Sequence, residues 1–404
     1  MSAHGRDRRS FLKQASVAVG GMSLAGCAGR STNESTGGSS AVPPGEAVRN
    51  GLPDDPKNLR LVDYAPKPQL VTDVTDVPRA KYTAIDCHNH LEELVDRGDD
   101  AIDEFVREMD ENNVQAVVNL DGRWGEALDR QLNALKEPYP DRFYVYARVD
   151  FSRIDEPDFG EQAAKQLERG YEKGVQGLKI SKDLGLGVQF EDGSYVPVDT
   201  PKMDPVWEKC GELGLPVEIH TSDPKAFFDP FDRHNERYEE LVDNQDWMFN
   251  DPEYYEKDAL LRQRNNVIER HPDTTFIGAH MGNLPENLSR VEEWLEAYDN
   301  FYVDVDARLS ELGRQPYSAR KFIIKWQDRV LFGTDGNAMG QPLDTMYDLH
   351  WRFLETDDEH FDIAKSHKFQ ARWRVYGLHL PDEVLKKVYQ TNALKLIPES
   401  RITI

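Results

Sequence analysis

Cysteine is scarce in this chain, with three in 404 residues, and no spacing among them suggests a disulfide framework. Basic side chains are short as well: Lys and Arg number 49 against 73 Asp and Glu, a formal net charge of −24. A surface of that sign excludes nucleic acid, whose phosphates need a basic footprint. The surplus acid reads as solvated surface that keeps the protein soluble. Long apolar runs are missing too. The stretch from Ala15 to Gly26 is too short, and too rich in Gly and Ser, to span a bilayer as a helix.

That stretch follows Arg8-Arg9-Ser10-Phe11-Leu12-Lys13, which reads as a twin-arginine export signal, and it ends in Leu24-Ala25-Gly26-Cys27, which resembles a lipobox. Residues 1–27 are therefore expected to be a signal peptide, with Cys27 lipidated after cleavage. The mature protein would sit on the cell envelope, periplasmic or on the outer surface, meeting the membrane only through that anchor. Twin-arginine routes carry proteins that have already folded. Residues 28–80 form a flexible linker and lead-in, dominated up to about residue 58 by Ser, Gly, Thr, Pro and Asn. Cys87 and Cys210 read as buried core residues, Cys87 facing away from the histidines beside it.

Beyond Lys81 the chain becomes regular. Short apolar runs bounded by turn residues lie at 84–90, 114–120, 143–150, 175–181, 216–222, 274–280, 301–306 and 330–335. Amphipathic stretches separate them, such as 99–112 and 286–298. Eight alternating β and α units with apolar, β-branched strands predict an α/β fold, a (β/α)8 TIM barrel over residues 81–399. Two connections exceed ordinary loops, one after strand five (Ser222 to about Lys257) and one after strand eight (Gly336 to about Leu380). The first carries eight aromatic rings from Phe227 to Tyr255, most of them expected to form a small core of a packed lid.

The first strand, Thr83-Ala84-Ile85-Asp86-Cys87-His88-Asn89-His90, ends in two histidines spaced i, i+2. Alternate side chains on a strand share a face, so His88 and His90 should project together, with Asp86 one layer below. Two imidazoles converging at a strand end suit a divalent metal. Further polar residues end other strands: Lys179 in Gly177-Leu178-Lys179-Ile180, His220 in Val217-Glu218-Ile219-His220, His280 in Gly278-Ala279-His280, and Asp335 in Gly333-Thr334-Asp335. Singly, a strand-end His can cap a carbonyl and an Asp before Gly336 can make a turn. In a barrel, however, these ends ring one mouth. Arg308 follows strand seven, and Lys182, Arg233 and Arg237 lie on mouth-side loops. Such cations suit an anionic small-molecule substrate, with ion pairing to the acidic surface as the competing reading for each.

The ordered set of H-x-H, His, His and Asp resembles the amidohydrolase superfamily, in particular the amidohydrolase-related group that includes aminocarboxymuconate-semialdehyde decarboxylase. The resemblance covers residues 82 to about 398, including Tyr389-Gln390-Thr391-Asn392-Ala393, which is similar to that group's closing helix. It implies one divalent metal, zinc being the expected ion, held by His88, His90, His220 and Asp335. It implies catalytic roles for Asp335 as proton acceptor and for His280 beside the metal. Lys179 could instead be carbamylated and bridge a second metal, or, like Arg308, reach the substrate. The expected activity is a hydrolase whose metal-activated water attacks an ester, lactone or amide carbonyl. The alternative is a non-oxidative carboxy-lyase acting on an aromatic or enoic acid, and a second is a non-catalytic, lipid-anchored binding protein. A homo-oligomer is compatible with all three.

Overall fold

The structure, a computed structural model, describes residues 55–337, 343–363 and 372–397. The twin-arginine motif, Cys27 and the linker up to residue 54 lie outside the described residues. Residues up to Pro68 form one unit, whose described part contains two short 3-10 turns, Pro56–Asn58 and Leu61–Asp63; Gln69 onward forms the other. No helix among the described residues is long and apolar enough to cross a membrane.

Eight parallel strands build the second unit: β1 (Ala84–His90), β2 (Val114–Asn119), β3 (Phe143–Ala147), β4 (Gly177–Ile180), β5 (Val217–Ile219), β6 (Phe276–Gly278), β7 (Phe301–Asp304) and β8 (Val330–Leu331). Each pairs in parallel with its sequence neighbour, as short β-branched runs buried on both faces require. A two-residue strand, β9 (Gly336–Asn337), lies against the end of β1 and brings the chain after β8 round to it. Cys87 N donates to Phe332 O and Asp335 N to His88 O, both at 2.9 Å, so β8 and its continuation close a TIM barrel.

The helices bury the faces their periodicity predicts. Asp99–Glu111 turns Ile102, Phe105, Val106 and Met109 inward, and Leu288–Ala297 turns Leu288, Val291, Trp294 and Leu295. A large apolar cluster fills the space between strands and helices. A smaller one, with Ile85, Cys87, Ala116, Val118, Tyr144, Tyr146, Ile277 and Leu331, fills the barrel itself. Cys87 and Cys210 are buried and unbonded. Cys87 does not face away from the site, however. It lies in the field of Glu218, Asp304 and Asp306, and burial pushes its thiol well up.

Asp86 also departs from expectation. The register of β1 against β2 shifts between Asp86 and Asn89, and such an irregularity breaks the strict two-residue alternation of faces. Asp86 therefore does not underlie the histidines. Its carboxylate accepts from Thr334 N at 3.0 Å, Thr334 Oγ1 at 2.6 Å and Tyr347 OH at 2.9 Å, tying β1 to the chain after β8 and to the helix Leu343–Glu355.

The insertion after β5 has its own aromatic core. Phe227 packs near Trp247, Phe228 near Phe249, and Phe231 stacks on Tyr238. Arg237 is spent inside this packing. It pairs with Glu240 at 2.7 Å and with Glu311, and its guanidinium lies over the Phe227 and Trp373 rings. It fastens the insertion to the helix Leu309–Arg314 and is not free for a substrate.

Replacing Asp86 by Ala would strand the Thr334 and Tyr347 donors in the core. The variant is expected to lose about 2–3 kcal/mol in urea unfolding, with an unchanged denaturant slope. A midpoint equal to wild type would contradict this role for Asp86.

Candidate metal centre

His88 and His90 lie at the end of β1, His220 just after β5, His280 just after β6, and Asp335 between β8 and β9. The barrel brings all five to one mouth. The inward nitrogens face one another and Asp335. His88 Nε2 and His90 Nε2 lie 3.6 and 3.5 Å from Asp335 Oδ1, and His280 Nε2 lies 3.3 Å from His220 Nδ1.

Behind each ring, the outward nitrogen meets a carboxylate. His88 Nδ1 lies 2.9 Å from Asp304 Oδ2 and 3.1 Å from Asp306 Oδ2. His90 Nδ1 lies 3.0 Å from Asp121, His280 Nδ1 2.8 Å from Asp306, and His220 Nε2 3.3 Å from Asp223. An imidazole that donates outward to a carboxylate keeps a lone pair inward, which is the form a metal ligand needs. Burial pushes the His88, His220 and His280 imidazoles down to about 3, so all three are neutral bases near pH 7. For Asp335, burial acts upward, but the His88, His280, His90 and His220 imidazoles together hold it well below the ordinary carboxylate range.

This donor set fits a divalent ion. The ligand atoms of His88, His90 and Asp335 lie within 4.8 Å of one another, and His90 and Asp335 open to solvent with side chains 29% and 32% exposed. Two other triads, His88–His280–Asp306 and His88–Glu218–Asp304, are fully buried and draw on the carboxylates behind the rings. Of the four expected ligands, three therefore converge; His220 stands one ring away, beside His280.

Backbone strain concentrates here. His280, Met281 and Asn283 have φ of 58°, 59° and 57°, Asp335 has 56° and Ala307 has 49°. Left-handed conformations in non-glycine residues persist only when surroundings over-determine them. At His280 the cause is visible: its N–H donates to Asp304 Oδ1 at 2.6 Å, with Asp306 Oδ1 at 3.1 Å.

Lys179 is buried, with Nζ 3.3 Å from His88 Nε2 and no carboxylate within ion-pair distance among the described residues. Arg308 lies on the β7 side of the mouth. It is 7% exposed, its Nη1 donates to Ala307 O at 2.8 Å, and its buried Nε has no partner. Lys182 pairs with Asp223 at 2.6 Å. Asp121, Glu218, Asp223, Asp304 and Asp306 escaped the sequence reading. A signal for some of them existed: Asp304 and Asp306 repeat the i, i+2 spacing of the histidines at another strand end, and Glu218 precedes His220 by two.

The family model described as amidohydrolase matches residues 85–398. No curated protein matches the chain. Among solved structures, a dihydroxybenzoic acid decarboxylase from Polaromonas, crystallised with manganese and 2-nitroresorcinol, is 17% identical, with 80% of this chain and 100% of that one covered and a TM-score of 0.50. A 2,6-dihydroxybenzoate decarboxylase from Rhizobium is 18% identical over 78% of this chain and 98% of its own, TM-score 0.47. A putative amidohydrolase from Staphylococcus aureus is 18% identical over 78% and 99%, TM-score 0.48. At these identities the likenesses concern the fold.

The depressed imidazoles carry a pH signature. An unfolded His titrates near 6.5, so between about 3 and 6.5 the unfolded chain binds more protons than the folded one. The stability His220 contributes is complete above pH 6.5 and is lost as pH falls. The stability of metal-free wild type relative to His220→Asn should drop on acidification through that window, by up to about 1.4 kcal/mol per pH unit. Urea unfolding from pH 7.5 to 4.5 measures it; a pH-independent difference would contradict the buried neutral imidazole.

Proposed function

The chain belongs to the amidohydrolase family, and on that premise we propose that it is a metal-dependent carboxy-lyase releasing CO2 from an aromatic or enoic acid. One divalent ion would be held by Nε2 of His88 and His90 and by Asp335, with His220 completing the set. Imidazole-rich ligation favours zinc, while manganese is the ion in the Polaromonas relative. When bound, the ion supplies a Lewis acid that draws electron density from substrate oxygens.

The observation that carries the reading is Arg308. A guanidinium buried to this degree, with an unpartnered Nε and no carboxylate within ion-pair distance among the described residues, is costly unless an anion completes it. A substrate carboxylate, or an acidic group beside it, is that anion. Arg308 would then fix the acid, and His280 would handle the proton. With Nδ1 bonded to the Asp306 carbonyl at 3.4 Å and 2.8 Å from its carboxylate, His280 offers Nε2 inward to relay a proton. The C–C bond to the carboxylate would break with its electron pair left on carbon, and one proton taken up from solvent and passed by His280 would form the new C–H bond as CO2 leaves. Asp335 is suited to ligation more than to accepting a proton from water, because the imidazoles keep it strongly ionised.

Hydrolysis of an ester, lactone or amide is the second reading, favoured by the solvent access of His90 and Asp335. The twin-arginine motif and Cys27 lead us to propose export and lipid anchoring, placing the reaction at the cell envelope.

Metal-loaded protein should release CO2 from members of a hydroxybenzoate panel. Turnover of lactones or esters without CO2 would overturn the reading. Elemental analysis should find one equivalent of divalent metal per chain, lost in His88→Ala; two equivalents would instead implicate Lys179 in a second site. Arg308→Met should raise KM for the acid about 10–100-fold, the worth of a charge-assisted contact, with a smaller change in kcat.

A further inference from the structure

We propose that Asp223 is a positioning residue of the metal centre, and that through it the grip on the ion depends on the insertion that begins there. The proposal rests on the metal reading of the site but not on the reaction assigned to it.

His220 differs from the other three imidazoles. His88, His90 and His280 turn Nδ1 outward, and their carboxylates come from β7 or from just beyond β2 and β7. His220 is reversed. Its Nε2 points outward and its Nδ1 faces the cluster, 3.3 Å from His280 Nε2. For Nδ1 to keep a lone pair, Nε2 must carry the proton, and an acceptor must hold that proton in place. Asp223 Oδ1, at 3.3 Å and three residues down the chain, is that acceptor. The backbone of His220 is held by β4, its N–H donating to Ile180 O at 2.9 Å, but the ring itself has Asp223 as the acceptor that fixes its outward nitrogen.

Asp223 is itself clamped at both ends. Its Oδ2 takes Lys182 Nζ at 2.6 Å, from the loop after β4. Its backbone carbonyl takes Lys257 Nζ, which also donates to Asn283 O at 2.7 Å. Lys257 opens the helix Lys257–Arg270, which ends the insertion. The start of the insertion is thus bound to its end, and Lys257 ties both to the strained turn that carries His280. A shift of the insertion would move Asp223 and release the His220 ring to turn either nitrogen inward. The metal centre therefore has three ligands fixed by the barrel and a fourth fixed by the lid.

The test is zinc affinity, by competition with a chromogenic chelator, together with the visible spectrum of the cobalt(II)-loaded protein. Asp223→Ala and the near-isosteric Asp223→Asn are expected to weaken zinc binding about 10–100-fold, as loss of an orienting carboxylate does, and to change the cobalt spectrum. Asp223→Glu should recover part of the affinity. Asp229→Asn removes an exposed ion pair with Lys225 in the same insertion and should bind zinc as wild type does. If the Ala variant fails to fold, the Asn variant decides. Affinity within twofold of wild type with an unchanged cobalt spectrum in Asp223→Asn would overturn the proposal, as would an equal loss in Asp229→Asn. Normal zinc binding without CO2 release would overturn the carboxy-lyase and leave Asp223 in its role. A protein that binds no divalent ion would overturn both.

Discussion

The mouth of this barrel depends on one repeated contact, an imidazole with a carboxylate behind it. The contact occurs four times, at His88, His90, His220 and His280, and each time it directs a lone pair inward. It has a cost. Glu218, Asp304 and Asp306 are fully buried within a few ångströms of one another, and burial raises all three carboxyls above their ordinary range. Acids so placed are tolerable only beside groups that share a proton or a positive charge with them, and Lys179 and the imidazoles are those groups. The acidic layer and the ligand layer therefore stabilise each other, and neither would be stable in this barrel alone.

Barrel closure serves the same end. β8 is two residues long, and the chain leaves it through Phe332–Asp335 before pairing again as β9. In that gap Asp335 takes a left-handed backbone and turns its carboxylate to the histidines. Asp86 holds the gap from below through Thr334 and Tyr347. The residue misread as a lower layer beneath the histidines is thus a support for the turn that delivers Asp335 to them.

Much of the fold was legible because each strand is a short apolar run buried on both faces, and because His and Asp at the ends of such runs stand out chemically. Their order around the mouth follows from the barrel alone. What was hidden has physical reasons. A register shift in β1 defeats the two-residue alternation, and with it the placement of Asp86 and Cys87. With 73 acids in the chain, Asp121 and Asp223 look like solvated surface until their distance to an imidazole is known. Arg237 could be read either as a substrate cation or as an ion-pair partner, because Glu311, which decides for the pair, lies far away in sequence and meets it only through the fold.

The same contrast gives Arg308 its weight. In a chain with 24 more acids than bases, a cation easily finds a carboxylate, and Arg237 and Lys182 both have. Arg308 is buried as well, yet among the described residues it pairs with no carboxylate, and its Nη1 donates to the carbonyl of the residue before it. Surface ion pairing accounts for a cation at a rim and cannot account for this one. Glu240 and Glu311 lie near enough to feel its charge but are bound to Arg237, so the insertion that secures the lid also withholds its acids from Arg308. An acid brought from outside would meet, on one side, a guanidinium that has no carboxylate partner among the described residues and, on the other, the histidine cluster. On the proposed reading, such a site would select for charge before it selects for shape.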